Sequence, residues 1–267
     1  MNTIDLNTAD LAMAALLVIL NAVLSLTLRL QLERQILIAL LRMCVQLTLV
    51  GLVLKTLFAL VSPFWTGLTT LVMILFAGRE IMARQERRLQ GWWAYGLGTA
   101  CMLLASSLVT VFALTTQLRP DPWYDPRYVI PLLGMILGNT MTGISLGMDT
   151  LTTRMVRDRG AVEAQLMLGA SRWEAILPVA RHALRSALMP TINSMAATGL
   201  VFLPGMMTGQ ILAGAEPVLA VKYQMLIMFL IAGGTGMGAV SAILGGVYRL
   251  TDSRHRLRLE RLLLPDG

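Results

Sequence analysis

Long apolar runs separated by short basic segments dominate this chain. A helix that crosses a bilayer needs about 20 mainly apolar residues. Seven runs fit that pattern: 9–28, 36–60, 66–78, 92–116, 128–148, 188–212 and 218–248. The third is short and can extend into the 79–88 segment. The sixth meets Pro204-Gly205 after about 15 residues, roughly 22 Å of helix, which is short of a ~30 Å hydrocarbon core. Pro204 lacks an N–H, and Gly205 and Gly209 loosen the next turn. The pattern predicts a broken or re-entrant helix, with a packed kink as the alternative. The expected fold is an all-α polytopic membrane protein with seven spans, forming a single transmembrane domain over 1–267.

Composition removes the soluble classes. Hydrophobic residues make up 56% and charged residues 14%, against roughly 25% charged in soluble proteins. The mean hydropathy is +0.68. Too few polar side chains remain to wet a globule, and disorder or a disulfide scaffold is excluded as well. Cys44 and Cys101 lie in apolar runs and read as small hydrophobes. The N-terminus carries Asp5 and Asp10 and has no basic n-region, so no cleaved signal peptide is expected.

The net charge of +7 orients the spans. With the N-terminus outside, all the basic residues fall inside except Lys55, Arg119, Arg127 and Lys222. The positive-inside bias therefore predicts N-out and C-in, and the charge implies no nucleic-acid partner. Arg42 can snorkel from span two to the inner interface. Pro120, Pro122 and Pro126 forbid a continuous helix in the outer loop, where Trp123 and Tyr124 suit the headgroup belt. The basic tail at 249–267, with Arg249, Arg254, Arg256, Arg258 and Arg261, reads as a solvated cytoplasmic strip.

Several devices are missing. No Asp or Glu lies deep in a span; Asp149 sits at an inner end and Glu216 in an outer loop. That argues against a proton-coupled pump. His182 and His255 are far apart and form no ligand cluster, so the sequence assigns no metal ligands. Lys222 lies near an outer end, too far from the middle of the last span for a retinal Schiff base. No phosphate-binding GxxxxGK[ST] occurs, the nearest fragment being Gly51 to Lys55-Thr56. The chain thus carries no catalytic residues and no cofactor of its own. Any ATP must be bound by another subunit.

The longest inner segment is 149–187. Leu151, Met155, Val162 and Leu166 share one helical face, and Gly169 supplies a helix stop. Ser171-Arg172-Trp173-Glu174 has capping-box spacing, with the Ser171 hydroxyl accepting from the Glu174 N–H and the carboxylate accepting from the Ser171 N–H. Two helices meeting at a tight Gly169-Ala170-Ser171 elbow are expected. The bland alternative is an ordinary interfacial helix pair.

Glu163-Ala164, followed after four residues by Gly169-Ala170-Ser171, resembles the EAA coupling loop of ABC-transporter permeases. The third position is Gln165, and Ile176-Leu177-Pro178 stands nearer the glycine than in the usual motif. A longer resemblance is to the FetB-type iron-export ABC permeases. Val129-Ile130-Pro131, Gly134-Met135-Ile136, Gly138-Asn139, Met141, Gly199-Leu200-Val201, Leu203-Pro204-Gly205-Met206-Met207, Gly209, Ala213-Gly214, Pro217 and Lys222-Tyr223-Gln224 carry it. The resemblance implies a permease domain that dimerises in a bacterial inner membrane and pairs with a cytoplasmic ABC ATPase subunit holding ATP and Mg. It implies iron export, and coupling through Glu163, Ala164, Gly169, Ala170, Ser171, Trp173 and Glu174.

Candidate path residues are Asn139, Thr140, Asn193, Pro204, Gly205, Met206, Met207, Gln210, Tyr223 and Gln224. The amides and Thr140 serve equally as helix–helix hydrogen bonds. The methionines serve equally as gap-fillers. Lys222 beside the outer exit repels a bare cation, which suggests a chelate or a neutral or anionic solute. Alternatives are a permease for another metal or an organic solute, by import or flipping, or a non-transporting scaffold or sensor. Gly134-xxx-Gly138, Gly143-xxx-Gly147 and Gly234-xxx-Gly238 permit close helix approach.

Overall fold

The computed structural model describes residues 7–252 and 256–263. Asp5, Arg254 and His255 lie outside the described residues. The described residues form nine α-helices. They are α1 (Thr8–Thr27), α2 (Glu33–Leu60), α3 (Pro63–Ala83), α4 (Trp93–Phe112), α5 (Pro126–Arg157), α6 (Arg159–Met167), α7 (Arg172–Ala197), α8 (Gly205–Leu212) and α9 (Pro217–Arg249). A π-wound segment, Ala113–Leu118, prolongs α4. Six helices are long and apolar enough to cross a membrane: α1, α2, α3, α4 with its extension, α5 and α9. The protein is an all-α polytopic membrane protein.

The sixth expected span, 188–212, is broken, as the pattern predicted, and is not one helix. Residues 188–197 finish α7, which begins at Arg172 and continues through Pro178 and Pro190. At Thr198 the backbone turns extended, and Gly199 takes φ +90°. The Gly199 N–H donates to the Phe202 carbonyl at 2.9 Å, closing a tight turn before Pro204 caps α8. Pro204 therefore marks the start of a short helix. At 26 residues, α7 is roughly 39 Å long. Arg172, Glu174, Arg181 and Arg185 keep it out of the apolar set.

The chain divides into two compact units, one ending at Leu60 and one beginning at Val61. The first is the α1–α2 hairpin. Ser25 closes its turn: its hydroxyl donates to Glu33 Oε2 at 3.0 Å and accepts the Leu32 N–H at 3.0 Å. Arg29 and Gln31 take φ of +54° and +58° there. Leu16, Leu20, Leu41 and Leu52 stay exposed, as lipid-facing residues should.

In the second unit α5 and α9 form the central pair. α7 packs on both, α4 on both, and α3 on α4 and α5. Small residues allow this closeness. A Cβ at Gly238 would stand 2.6 Å from Thr140 Cγ2, and one at Gly143 would stand 3.1 Å from the Ala187 carbonyl oxygen. Two of the three glycine pairs thus seat helices within the chain. Gly138, from the third, has nothing within 4 Å of its Cβ position.

The tail corrects the expectation of a solvated strip. Leu262 is buried, and Leu257 and Leu259 pack against the core. The Gln90 N–H donates to the Arg261 carbonyl at 2.8 Å, and the Leu263 N–H to the Arg88 carbonyl at 2.8 Å. Arg261 Nη1 reaches the Arg249 carbonyl at 2.7 Å. Residues 256–263 therefore strap the α3–α4 loop to the end of α9.

Candidate functional site

Two regions of the second unit carry candidate chemistry. The first is the elbow between α6 and α7. The expected helix from 149 to 168 is divided at Asp158, whose non-helical backbone (φ −96°, ψ 16°) separates α5 from α6. Leu151, Met155 and Val162 are nevertheless buried as one face. Gly169 ends α6 at φ +91°. Its N–H donates to the Leu166 carbonyl and the Ala170 N–H to the Gln165 carbonyl, both at 3.1 Å. That pattern is a Schellman stop, and its left-handed residue favours glycine.

Ser171 then begins α7. The Glu174 N–H donates to Ser171 Oγ at 3.3 Å, and the Ser171 N–H donates to Glu174 Oε2 at 2.8 Å. The bond from the Ser171 backbone N–H, with help from the Ser171 hydroxyl, holds the Glu174 carboxyl below its ordinary pKa. Glu163 pairs with Arg159 at 2.7 Å, one turn back along α6. Ala164 is exposed and Ala170 half-buried. Trp173 is 42% exposed, while Met167 and Leu168 reach 82% and 88%. The elbow's most prominent apolar side chains are therefore the two just before Gly169. A sequence reading built on the EAA pattern passes over them, although an apolar pair directly before a helix-stop glycine is a usable signal.

The elbow rests on an ordered platform. The Glu86 N–H donates to Asp149 Oδ1 at 2.8 Å, and Thr152 Oγ1 donates to the Arg87 carbonyl at 3.1 Å. Arg172 stacks over the Tyr248 ring at 5.6 Å and Arg249 over Trp93 at 5.1 Å. The start of α7, the end of α5, the α3–α4 loop and the end of α9 are thereby tied together.

The second region is a cavity of about 270 Å³ at the opposite ends of α5 and α9. Met206 and Gln210 from α8 and Tyr223 from α9 line it, as the sequence proposed for a path. Arg127, Tyr128 and Met135 from α5 join them. The sequence did not propose these three for a path: Arg127 read as a topology charge, Met135 entered only through the family resemblance, and Tyr128 was not singled out. The Gln210 Oε1 atom is buried and has no hydrogen-bond partner among the described residues, and the same holds for Gln224 Oε1.

The other proposed path residues fall elsewhere. Asn139 is exposed and donates to the Met135 carbonyl at 2.8 Å. Thr140 is fully buried in the α5–α9 crossing. Met207 and Gln224 are buried but do not line the cavity. Pro204 and Gly205 start α8. Asn193 lies with His182, Arg185, Ser186, Met189 and Pro190 along an open groove on α7, about 570 Å³ in volume. Among the described residues no three His, Cys, Asp or Glu side chains are grouped to hold a metal ion.

The model of an uncharacterised protein family, UPF0014, matches residues 8–251. The chain belongs to the UPF0014 family. It is 38% identical over 219 residues to a UPF0014 membrane protein of Synechocystis sp., covering 80% of this chain and 82% of the relative. It is 31% identical to the probable iron export permease protein FetB of Escherichia coli, over 98% of this chain and 99% of that one. It is 32% identical to the protein ALUMINUM SENSITIVE 3 of Arabidopsis thaliana, over 86% of this chain and 82% of that one. No solved structure matches the chain. Membership in UPF0014 accounts for the sequence resemblance to FetB-type permeases.

Proposed function

We propose that this UPF0014 protein is the membrane subunit of an ATP-driven exporter whose cargo is iron. It works as a homodimer in a bacterial inner membrane, N-out and C-in. Each copy engages a cytoplasmic ABC ATPase subunit, which holds the ATP and Mg. The single carrying observation is the elbow. A Schellman stop and a capping box fix its two helix ends, and Met167 and Leu168 project from it almost fully exposed. An apolar knob on a rigid mount is suited to sit in a partner's pocket, because buried apolar anchors dominate interface energy. Trp173 adds an aromatic flank.

Closure of the ATPase pair would push this elbow. Because α6 and α7 meet there in capped ends, the push passes along α7 instead of fraying it. α7 packs against both α5 and α9, which hold the cavity at their far ends. The iron assignment is supported by the Escherichia coli relative, a probable iron export permease, which aligns over nearly the whole chain. The glycine-bearing face of α5 at Gly138, uncovered within the chain, is compatible with dimer packing.

The test is co-purification with the candidate ATPase, followed by metal transport in proteoliposomes. Met167→Ser with Leu168→Ser, and separately Trp173→Ala, should weaken co-purification while membrane insertion persists. Full recovery of the ATPase with both variants, or ATP-dependent movement of no iron species, would reject the reading.

A further inference from the structure

A break in the backbone stands at membrane depth with its polar groups open. Ala187 of α7 lies level with Gly143 and Gly147 of α5. A Cβ at Gly143 would stand 3.1 Å from the Ala187 carbonyl oxygen, and one at Gly147 would stand 3.0 Å from Ala187 Cβ. Just beyond Gly147, Asp149 meets the α3–α4 loop, which joins two spans at one membrane face. From Ala187 to Thr198, α7 runs about 16 Å away from that face. Past the turn, Met206 and Gln210 reach the cavity at the opposite ends of α5 and α9. Residues 198–203 therefore lie inside a ~30 Å hydrocarbon core.

That depth offers no water to open backbone groups. An irregular segment persists there only where protein covers it or where it lines an aqueous cavity. Within the turn, the Gly199 N–H donates to the Phe202 carbonyl, and the Val201 and Phe202 N–H groups share the Ala197 carbonyl. The carbonyls of Gly199, Leu200 and Val201 accept no backbone bond from the described residues. Leu200 is 93% exposed and Val201 81%, against 68% for Leu104 on the lipid side of α4. The turn protrudes from the bundle, and lipid chains have no donor for its carbonyls.

The face of α7 that leads to the turn is polar as well. His182, Ser186, Met189 and Asn193 recur at helical spacing and line one open groove with Arg185. Asn193 is exposed and stands about 9 Å deeper than Ala187. An amide at that depth belongs against another helix or water. The open backbone and the open amide lie in one continuous stretch of chain, and each disfavours lipid as its cover.

We infer that a second copy of this chain covers the stretch, with the two 198–203 turns facing each other across a two-fold axis inside the membrane. A two-fold contact is self-complementary, so one protruding turn meets its equivalent. Leu200 and Val201 supply the apolar contact. The Asn193 amides and the open carbonyls of both copies line an aqueous passage between the two α7 helices, which one copy alone leaves half built. The α7 groove holds no carboxylate, so the cargo meets amide and carbonyl oxygens there. This surface rests on the exporter reading for the homodimer and for what the passage carries.

The experiment uses the full chain in proteoliposomes at a high ratio of lipid to protein. Leu200→Cys and Val201→Cys are each combined with Cys44→Ala, which removes an exposed native thiol. A short bis-maleimide should convert most of either protein to covalent dimers. Leu104→Cys should stay at the background of the Cys44→Ala chain. Asn193→Cys should react with a water-soluble thiosulfonate about tenfold or more faster than Leu104→Cys, because an apolar surround keeps a thiol protonated and unreactive. Leu200→Asp with Val201→Asp should shift the particle from dimer to monomer mass while the helical signal persists. The cross-links decide alone should that variant fail to insert. Background cross-linking at both turn positions, equal cross-linking at Leu104→Cys, or a dimer mass that survives the double aspartate variant overturns the interface. Asn193→Cys labelling no faster than Leu104→Cys overturns the passage.

Transport separates this surface from the exporter reading. Turn-to-turn cross-links and a reactive Asn193→Cys without ATP-driven iron transport would retain the surface and remove the exporter. ATP-driven iron transport by chains whose turns never cross-link would retain the exporter and remove the surface.

Discussion

Ser171 and Glu174 exchange hydrogen bonds reciprocally, with the serine hydroxyl accepting one backbone N–H and the glutamate carboxylate the other. Two N–H groups that helix geometry leaves without partners are satisfied in a single turn. Ser171→Ala removes one of these bonds and should cost about 1 kcal/mol of local helix stability. Hydrogen exchange at the 171–175 amides should accelerate, while exchange in the middle of α5 stays unchanged. Equal protection in the variant and the parent would show that the cap contributes nothing.

The same pair sets a pH response. Because the Glu174 carboxyl titrates below its usual range when folded, its contribution is present above the unfolded pKa of about 4.3. It is lost as pH falls through the lowered folded value. Elbow protection, corrected for intrinsic exchange, should be flat from neutral pH to the ordinary carboxyl range and drop below it. Glu174→Gln should abolish that drop. A fall centred well above pH 5, or one that survives Glu174→Gln, would assign the response to other groups.

Gly143 and Gly138 predict opposite outcomes for the same substitution. At Gly143 a methyl group would stand 2.6 Å from Thr235 Cγ2 and 3.1 Å from the Ala187 carbonyl oxygen, which is rigid backbone. Gly143→Ala should force α7 or α9 outward at a cost of about 1–3 kcal/mol. Gly138→Ala meets open space and should be tolerated within the chain. Thermal unfolding in nanodiscs measures both, and matching midpoints would contradict the packing described for α5.

Asp149 pins the α3–α4 loop through the Glu86 N–H. Asp149→Ala removes that acceptor while leaving the strap contacts to Arg88 and Gln90 in place. Proteolytic nicking between 84 and 88 should increase several-fold without loss of the helical signal. An unchanged nicking rate would mean that the Thr152 bond to the Arg87 carbonyl suffices.

Orientation is tested by labelling. On the proposed N-out, C-in orientation Asp125 lies outside and Arg157 inside. Cysteine at Asp125 should react with an impermeant thiol reagent in whole cells, and cysteine at Arg157 should not. Labelling at Arg157 would reverse the assignment.

What the sequence made legible was local. Gly169 and the spacing from Ser171 to Glu174 are short-range signals, and the structure forms both caps where the spacing put them. Apolar runs located α1, α2, α3, α4, α5 and α9 because hydropathy needs no knowledge of partners. At 188–212 run length alone marked a span, while Pro204-Gly205 marked the break that the structure shows, with α7 ending at Ala197 and α8 starting at Gly205. Hydropathy averages across a break, whereas Gly199 and Pro204 decide where helices begin and end. The cavity was half legible, since Arg127 and Gln210 lie far apart in the sequence and meet only through the packing of α5, α8 and α9. The strap was missed for a simpler reason. Arg256, Leu257, Arg258 and Leu259 alternate, which signals an extended segment with one buried face, but the net charge drew attention away from the alternation.

The bond from Gln90 to the Leu262 carbonyl joins positions 172 residues apart in the chain. During synthesis, the α3–α4 loop is made long before its partner exists. It must wait through the insertion of α4, α5 and α9 with Leu89 still uncovered. The platform beneath the elbow therefore closes only after α9 has been laid down. A protein interrupted before Leu262 would present that uncovered leucine to quality-control proteases in place of a finished platform.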